Sequence, residues 1–176
     1  MSHVQQMNFV GSVKQLYSKY FFQTKIVEVG SLNINGSVRD FFIFPKQYVG
    51  CDLGPGPGVN IVCAGHELPY DDDHFDVAIS CECFEHDQHW IKTFARMVAL
   101  VHDDGLVVFS CATTGRAEHG THGHGANEAP FTNDYYRNLT EQDFREHFDF
   151  GLLFKEHGFL TNDESHDLYF VGVVKK

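Results

Sequence analysis

The sequence predicts an α/β fold, a mostly parallel β-sheet covered by helices on both faces. Short β-branched runs alternate with stretches whose apolar residues recur at helical spacing. The length of 176 residues suits one globular domain with a single core, spanning 1–176. The first strand ends in Gly30, and the second ends about 20 residues later in an acid, Asp52. Nucleotide-binding sheets place a turn glycine and a ribose acid in this way.

Residues 1–23 are expected to supply an N-terminal helix, with Val10, Val13, Leu16, Tyr17 and Tyr20 near helical spacing between Asn8 and Phe22. Lys25–Val29 is a β-branched run closed by Gly30. Ser37–Phe44 reads as a short helix stopped by Pro45, and Tyr48–Asp52 as the second strand. After the Gly/Pro turn 53–58, Val59–Cys63 reads as the third strand and Phe75–Ser80 as the fourth. Trp90, Ile91, Phe94, Met97, Val98 and Val101 keep the rhythm of a buried helical stripe. Asp103-Asp104-Gly105 is expected to turn into a fifth strand, Leu106–Ser110. Residues 111–139, rich in His and Gly, are expected to form a lid loop. Thr140 with Asp143 has capping-box spacing for a helix through Phe148. Leu168–Val174 is the last strand, with a neighbour somewhere in Gly151–Leu160.

Thirteen Lys+Arg against 24 Asp+Glu give a formal net charge of -11, which argues against nucleic acid or an anionic membrane as partner. Met1–Phe9 lacks the pattern of a secretory signal, and no run approaches the length of a membrane span. The five cysteines form an odd set within apolar runs, which fits reduced thiols and a cytoplasmic setting. The oligomeric state is not legible in this sequence.

In open α/β sheets ligands bind beyond the carboxyl ends of the strands, which singles out Gly30, Asp52, Cys63, Ser80 and Ser110. An acid at Asp52 accepts both hydroxyl protons of a ribose. A dinucleotide site also needs glycines that bring a pyrophosphate onto a helix N-terminus. The loop Gly30-Ser31-Leu32-Asn33-Ile34-Asn35-Gly36 has bulky residues there instead. A ligand with ribose and adenine but no phosphate suits it better, which favours S-adenosylmethionine (SAM) over NAD.

The ordered motifs resemble class I SAM-dependent methyltransferases, in particular the type 11-like branch. Glu28-Val29-Gly30-Ser31 is similar to the first motif of that superfamily, and Asp52 to its ribose acid. Gly65-His66-Glu67-Leu68-Pro69-Tyr70 with Phe75-Asp76-Val77, then Glu82–His86, Asp104–Val108 and Asp134–Arg137, follow in the family's order. The resemblance implies a Rossmann-like seven-stranded sheet with the last strand antiparallel. It implies that Glu28 and Gly30 flank the methionine end of SAM, with Ser31, Asn35 and Gly36 of the same loop among the cofactor-binding residues. Asp52 and Leu53 would hold the ribose, Gly65, His66 and Glu67 would lie beside the adenine, and Cys81 near the sulfonium. Leu32 and Ile34 replace further glycines of the first motif, and Ala64 stands where an acid is common.

The implied activity is methyl transfer to the oxygen or nitrogen of a small-molecule acceptor. Transfer from an activated methyl needs alignment and, for some acceptors, a base. Glu82, Glu85 and His86 stand at i, i+3, i+4, so a helix would put them on one face, to act as base or to hold a divalent cation. The spacing is similar to the Glu-x-x-Glu-His of ubiquinone-biosynthetic O-methyltransferases; the plainer expectation is a polar helix start. In the loop, His119, His122 and His124 are spaced for metal binding or for a solvated lid, and His119 is the candidate nearest the acceptor. Glu85, His86 and His119 are therefore the candidate catalytic residues, and Tyr135, Tyr136 and Arg137 candidates to close the pocket. The alternatives are a non-catalytic SAM-binding module and a metal-dependent hydrolase using the His-rich loop.

Overall fold

The computed structural model describes residues 3–176. Seven strands form one sheet: β1 (Lys25–Val29), β2 (Gln47–Asp52), β3 (Ile61–Val62), β4 (Phe75–Cys81), β5 (Val101–Ala112), β6 (Phe154–Asn162) and β7 (Asp167–Val174). Their spatial order is β3-β2-β1-β4-β5-β7-β6. The first five run parallel, while β7 lies antiparallel to both β5 and β6. The mostly parallel sheet with an antiparallel last strand is thus as expected. The order reverses between β1 and β4, and a cleft at the carboxyl ends follows from that reversal.

Period-two alternation divides the strands between two cores. Ile26, Val77, Ile79, Leu106 and Val108 face helix α1 (Val4–Leu16), which buries Val10 and Val13 against them. Val27, Val29, Ala78, Val107 and Phe109 face the other way. They meet Trp90, Phe94 and Met97 of α2 (Trp90–Leu100), Phe144 of α3 (Glu141–His147) and Phe150 of α4 (Phe150–Leu153). Phe94 is fully buried and its ring adjoins those of Phe84, Phe109, Phe144 and Phe170. The abundance of Phe in the sequence is spent largely here. Among the described residues no helix is long and apolar enough to cross a membrane.

Several local expectations are corrected. The N-terminal helix ends at Leu16, and Ser18–Phe21 is a 3-10 turn; positions 1 and 2 of the expected segment lie outside the described residues. Ser37–Phe44 contains only a 3-10 turn, Val38–Phe41, and the third strand shrinks to two residues. Asp103-Asp104-Gly105 does not end an element. It forms a bulge within β5, with Asp104 at φ 64° and its carbonyl accepting the Tyr20 hydroxyl at 2.6 Å. The capping box stands as predicted: Thr140 accepts from the Asp143 N–H while the Asp143 carboxylate accepts from the Thr140 N–H. Tertiary pairing overrides local turn chemistry in the bulge, whereas the cap is a local event and survives.

Candidate functional site

The cleft lies over the carboxyl ends of β1, β2 and β4 and encloses about 920 Å³ measured out to its mouth. Nine of the eleven predicted cofactor residues line it: Glu28, Gly30, Ser31, Asn35, Gly36, Asp52, Leu53, Gly65 and Cys81. His66 and Glu67 do not; they belong to a 3-10 turn, where the His66 ring packs edge-on against His89.

The β1 end turns at Gly30, whose φ of 77° lies in the left-handed region. A Cβ there would fall 2.6 Å from the Cβ of Cys83, so the loop after β4 closes directly on this backbone. The N–H groups of Gly30 and Ser31 both donate to the Cys51 carbonyl at 3.0 Å, tying the turn to β2. Leu32, a departure from the glycine pattern, is held through its backbone: its N–H donates to Asp52 Oδ2 at 3.0 Å. One carboxylate therefore anchors the loop and also lines the cleft. Burial raises the Asp52 carboxyl, opposed by the backbone N–H groups of Leu32, Leu53 and Gly54.

Glu28 is nearly buried and accepts the Tyr48 hydroxyl at 2.9 Å. Burial lifts its carboxyl to about 7 even though Tyr48 and Arg39 favour the ionised form. Gln6 of α1 is fully buried at the same end, and neither its amide oxygen nor its nitrogen meets a hydrogen-bond partner. Ser31 Oγ is likewise buried and unpartnered. Buried polar atoms without partners, around a lining that includes the acids Glu28, Asp52, Glu82, Asp87 and Glu128, fit a polar and cationic ligand group. Gln6 was missed by sequence reasoning, because nothing local marks one helix residue as reaching the sheet edge 20 positions away.

The predicted Glu82, Glu85, His86 face does not form. Glu82 adopts φ 52°, and only Phe84–His86 makes a 3-10 turn, so the helical spacing argument fails. Glu82 turns toward β5 and β7, where it accepts the Ser110 hydroxyl at 2.7 Å. There it joins Asp167, His3 and Arg116, with His3 Nε2 3.2 Å from Asp167 and 3.6 Å from Glu82. These acids raise the His3 imidazole to about 10.

Glu85 and His86 instead meet His119. The two imidazoles stand edge to face with centroids 5.0 Å apart, and the Tyr136 ring closes the group at 5.4 and 4.9 Å. Gly120 allows this approach: its φ is 71°, and a Cβ would lie 2.7 Å from His86 Cε1. Burial pushes His86 down to about 3, and His119 lies below the usual range for the same reason. Burial, with Glu82 adding to it, lifts Glu85 to about 8. His86 lines the cleft alongside Asp87, Glu128, Ala129 and Thr132, while Glu85 and His119 stand behind it. His122 and His124 do not converge with His119; exposed, they pair with Asp134 and Glu118. Arg137 pairs with Asp143.

The fold is shared with solved structures whose matches cover nearly the whole chain. The chain has the class I SAM-dependent methyltransferase fold. Residues 35–109 match the family described as methyltransferase domain. Burkholderia thailandensis 1,6-didemethyltoxoflavin-N1-methyltransferase, solved with its acceptor and S-adenosylhomocysteine, is 16% identical with a TM-score of 0.67; the match covers 97% of this chain and 79% of that one. The CurJ carbon methyltransferase is 14% identical with a TM-score of 0.66, over 97% of this chain and 54% of that one. Haemonchus contortus phosphoethanolamine N-methyltransferase 2, solved with SAM, is 14% identical with a TM-score of 0.64, over 96% and 53%. The chain thus spans about half the length of these last two. No curated protein sequence matches it.

Proposed function

We propose that this chain transfers the methyl group of SAM to an oxygen or nitrogen of a small-molecule acceptor. The observation that carries the reading is the gathering of nine predicted cofactor residues into one cleft at the reversal of strand order. When bound, SAM supplies a methyl group activated on a sulfonium sulfur. Asp52, at the end of β2 and in the cleft lining, is placed to accept from the ribose hydroxyls. Gly30 turns the loop at the cleft and lets Cys83 pack against it, and Glu28 with Gln6 provides polar partners for the amino-acid end. Cys81, Gly65 and Leu53 complete the walls toward the sulfur, the adenine and the ribose.

The acceptor is small because it must share this cleft with the cofactor. Its end of the site is walled by His86, with Glu85 and His119 behind, and by Glu128, Ala129 and Thr132 from residues 113–139, which act as a lid. The imidazoles are held neutral at pH 7 by burial, so they offer lone pairs rather than charge to an acceptor proton. Two of the similar folds are named as N-methyltransferases, of a didemethyltoxoflavin and of phosphoethanolamine, which supports an acceptor of that size class.

Calorimetry with S-adenosylhomocysteine tests the cofactor, and methyl transfer from radiolabelled SAM to a panel of phenols, amines and carboxylates tests turnover. Stoichiometric binding with turnover of at least one class is expected. Absence of binding at high micromolar protein refutes the reading, and binding without turnover on any class converts it to a non-catalytic SAM-binding module.

A further inference from the structure

We propose that Glu85, His86 and His119 form a binding site for one late first-row divalent transition-metal ion, with Zn²⁺ as the reference case. One carboxylate oxygen and one ring nitrogen from each histidine lie within 4.8 Å of one another. Ions of this class bind nitrogen and oxygen at about 2.0–2.2 Å, so donors around a tetrahedral ion stand roughly 3.3–3.6 Å apart. The group needs to contract by up to about 1.5 Å around an ion.

The polarity of the group demands a partner that the chain does not supply. Glu85 is fully buried, and neither of its oxygens accepts a hydrogen bond. His86 Nδ1 and His119 Nε2 are buried and unpartnered beside it. Leaving a buried carboxyl group uncompensated costs several kcal/mol, about as much as any single core residue contributes, and a dication removes that cost. Two separate elements converge on this one point: the 3-10 turn after β4 carries Glu85 and His86, and the loop after β5 carries His119.

Tautomer geometry points the same way. His119 Nδ1 lies 3.1 Å from the Ala117 carbonyl oxygen, which can only accept. Nδ1 therefore carries the hydrogen, and the neutral ring presents its lone pair at Nε2, the unpartnered atom. An imidazole whose other nitrogen is held by a backbone carbonyl is the usual arrangement of a metal-bound histidine. Two imidazoles with one carboxylate suit Zn²⁺, Fe²⁺, Co²⁺ or Ni²⁺ better than Mg²⁺ or Ca²⁺, which take oxygen donors. Three protein ligands leave a position open, and His86 puts the ion at the cleft wall. The set differs from the one the sequence spacing suggested, since Glu82 is turned away to Ser110 and His3.

The site is tested on the untagged chain, stripped with chelator, by titration with Co²⁺ followed by visible absorption and calorimetry. One Co²⁺ per chain is expected, displaced by Zn²⁺. Glu85→Gln, His86→Asn and His119→Asn should each weaken binding by at least the 10–100-fold that even outer partners of a metal site cost. The double variant His122→Ala/His124→Ala should bind as the parent does. Should the buried Glu85 or His86 variant fail to fold, His119→Asn on the loop carries the test, with circular dichroism confirming its fold. Lack of stoichiometric Co²⁺, or binding unchanged in His119→Asn, overturns the proposal. S-adenosylhomocysteine binding is measured separately, so failure of the metal site is distinguishable from failure of the methyl-transfer reading.

Discussion

Replacing Asp52 by Asn separates two tasks of one carboxylate. In the protein Asp52 lines the cleft while its Oδ2 takes the Leu32 N–H at 3.0 Å. Asparagine keeps a single acceptor oxygen, enough for Leu32 or for a ribose hydroxyl, and its amide nitrogen only donates. The loss is one hydrogen bond to a charged acceptor, about 1.5–3 kcal/mol. At 1.4 kcal/mol per factor of ten, S-adenosylhomocysteine should bind about 10–140-fold more weakly. Thermal stability should change little, because burial already disfavours the carboxylate charge that the substitution removes. Asp52→Ala, by contrast, leaves the Leu32 N–H without its acceptor and should also lower stability by about 1–3 kcal/mol. Calorimetry with S-adenosylhomocysteine and a thermal melt of each variant measure the two effects. Affinity of Asp52→Asn within twofold of the parent would refute the ribose assignment.

Gly30→Ala meets both a left-handed φ and the Cys83 side chain at 2.6 Å, so it should destabilise the chain by about 1–3 kcal/mol and weaken S-adenosylhomocysteine binding; a parent-like urea midpoint contradicts this. Phe94→Ala, at the centre of the aromatic core, should cost about 3–5 kcal/mol in denaturant unfolding while leaving the cleft residues in place. Gln6→Leu removes two unpartnered buried amide atoms, so the chain should melt at the same or a higher temperature while S-adenosylhomocysteine binds less well. His3 is raised to about 10 by Asp167 and Glu82, so its contribution is fully present below about pH 6.5 and lost as pH rises toward 10. Asp167 is lowered, so its share is present above its unfolded range and lost on acidification. The melting temperature should therefore fall between pH 7 and 10, and a His3→Gln variant should lose that slope.

The alternation of β-branched runs with one strong helical stripe, Trp90–Leu100, determined the α/β class from sequence alone, because each signal reflects burial on a face fixed by backbone period. The Thr140/Asp143 cap and the placing of Gly30 and Asp52 at strand ends were legible for the same reason: each depends on neighbours in the chain. Spacing failed at Glu82–His86, where an i, i+4 argument presumes a helix. The positive φ of Glu82 and a single 3-10 turn send Glu82 to one cluster and Glu85 and His86 to another. Only the packed structure decided that His119, 33 positions beyond His86, completes the second cluster, and that Gln6 reaches the cleft from the opposite face of the sheet. Such contacts join residues far apart in the chain, and what selects them is the closing of a glycine turn on a buried ring or the sealing of a sheet edge by a helix. Neither leaves a periodic trace in the sequence.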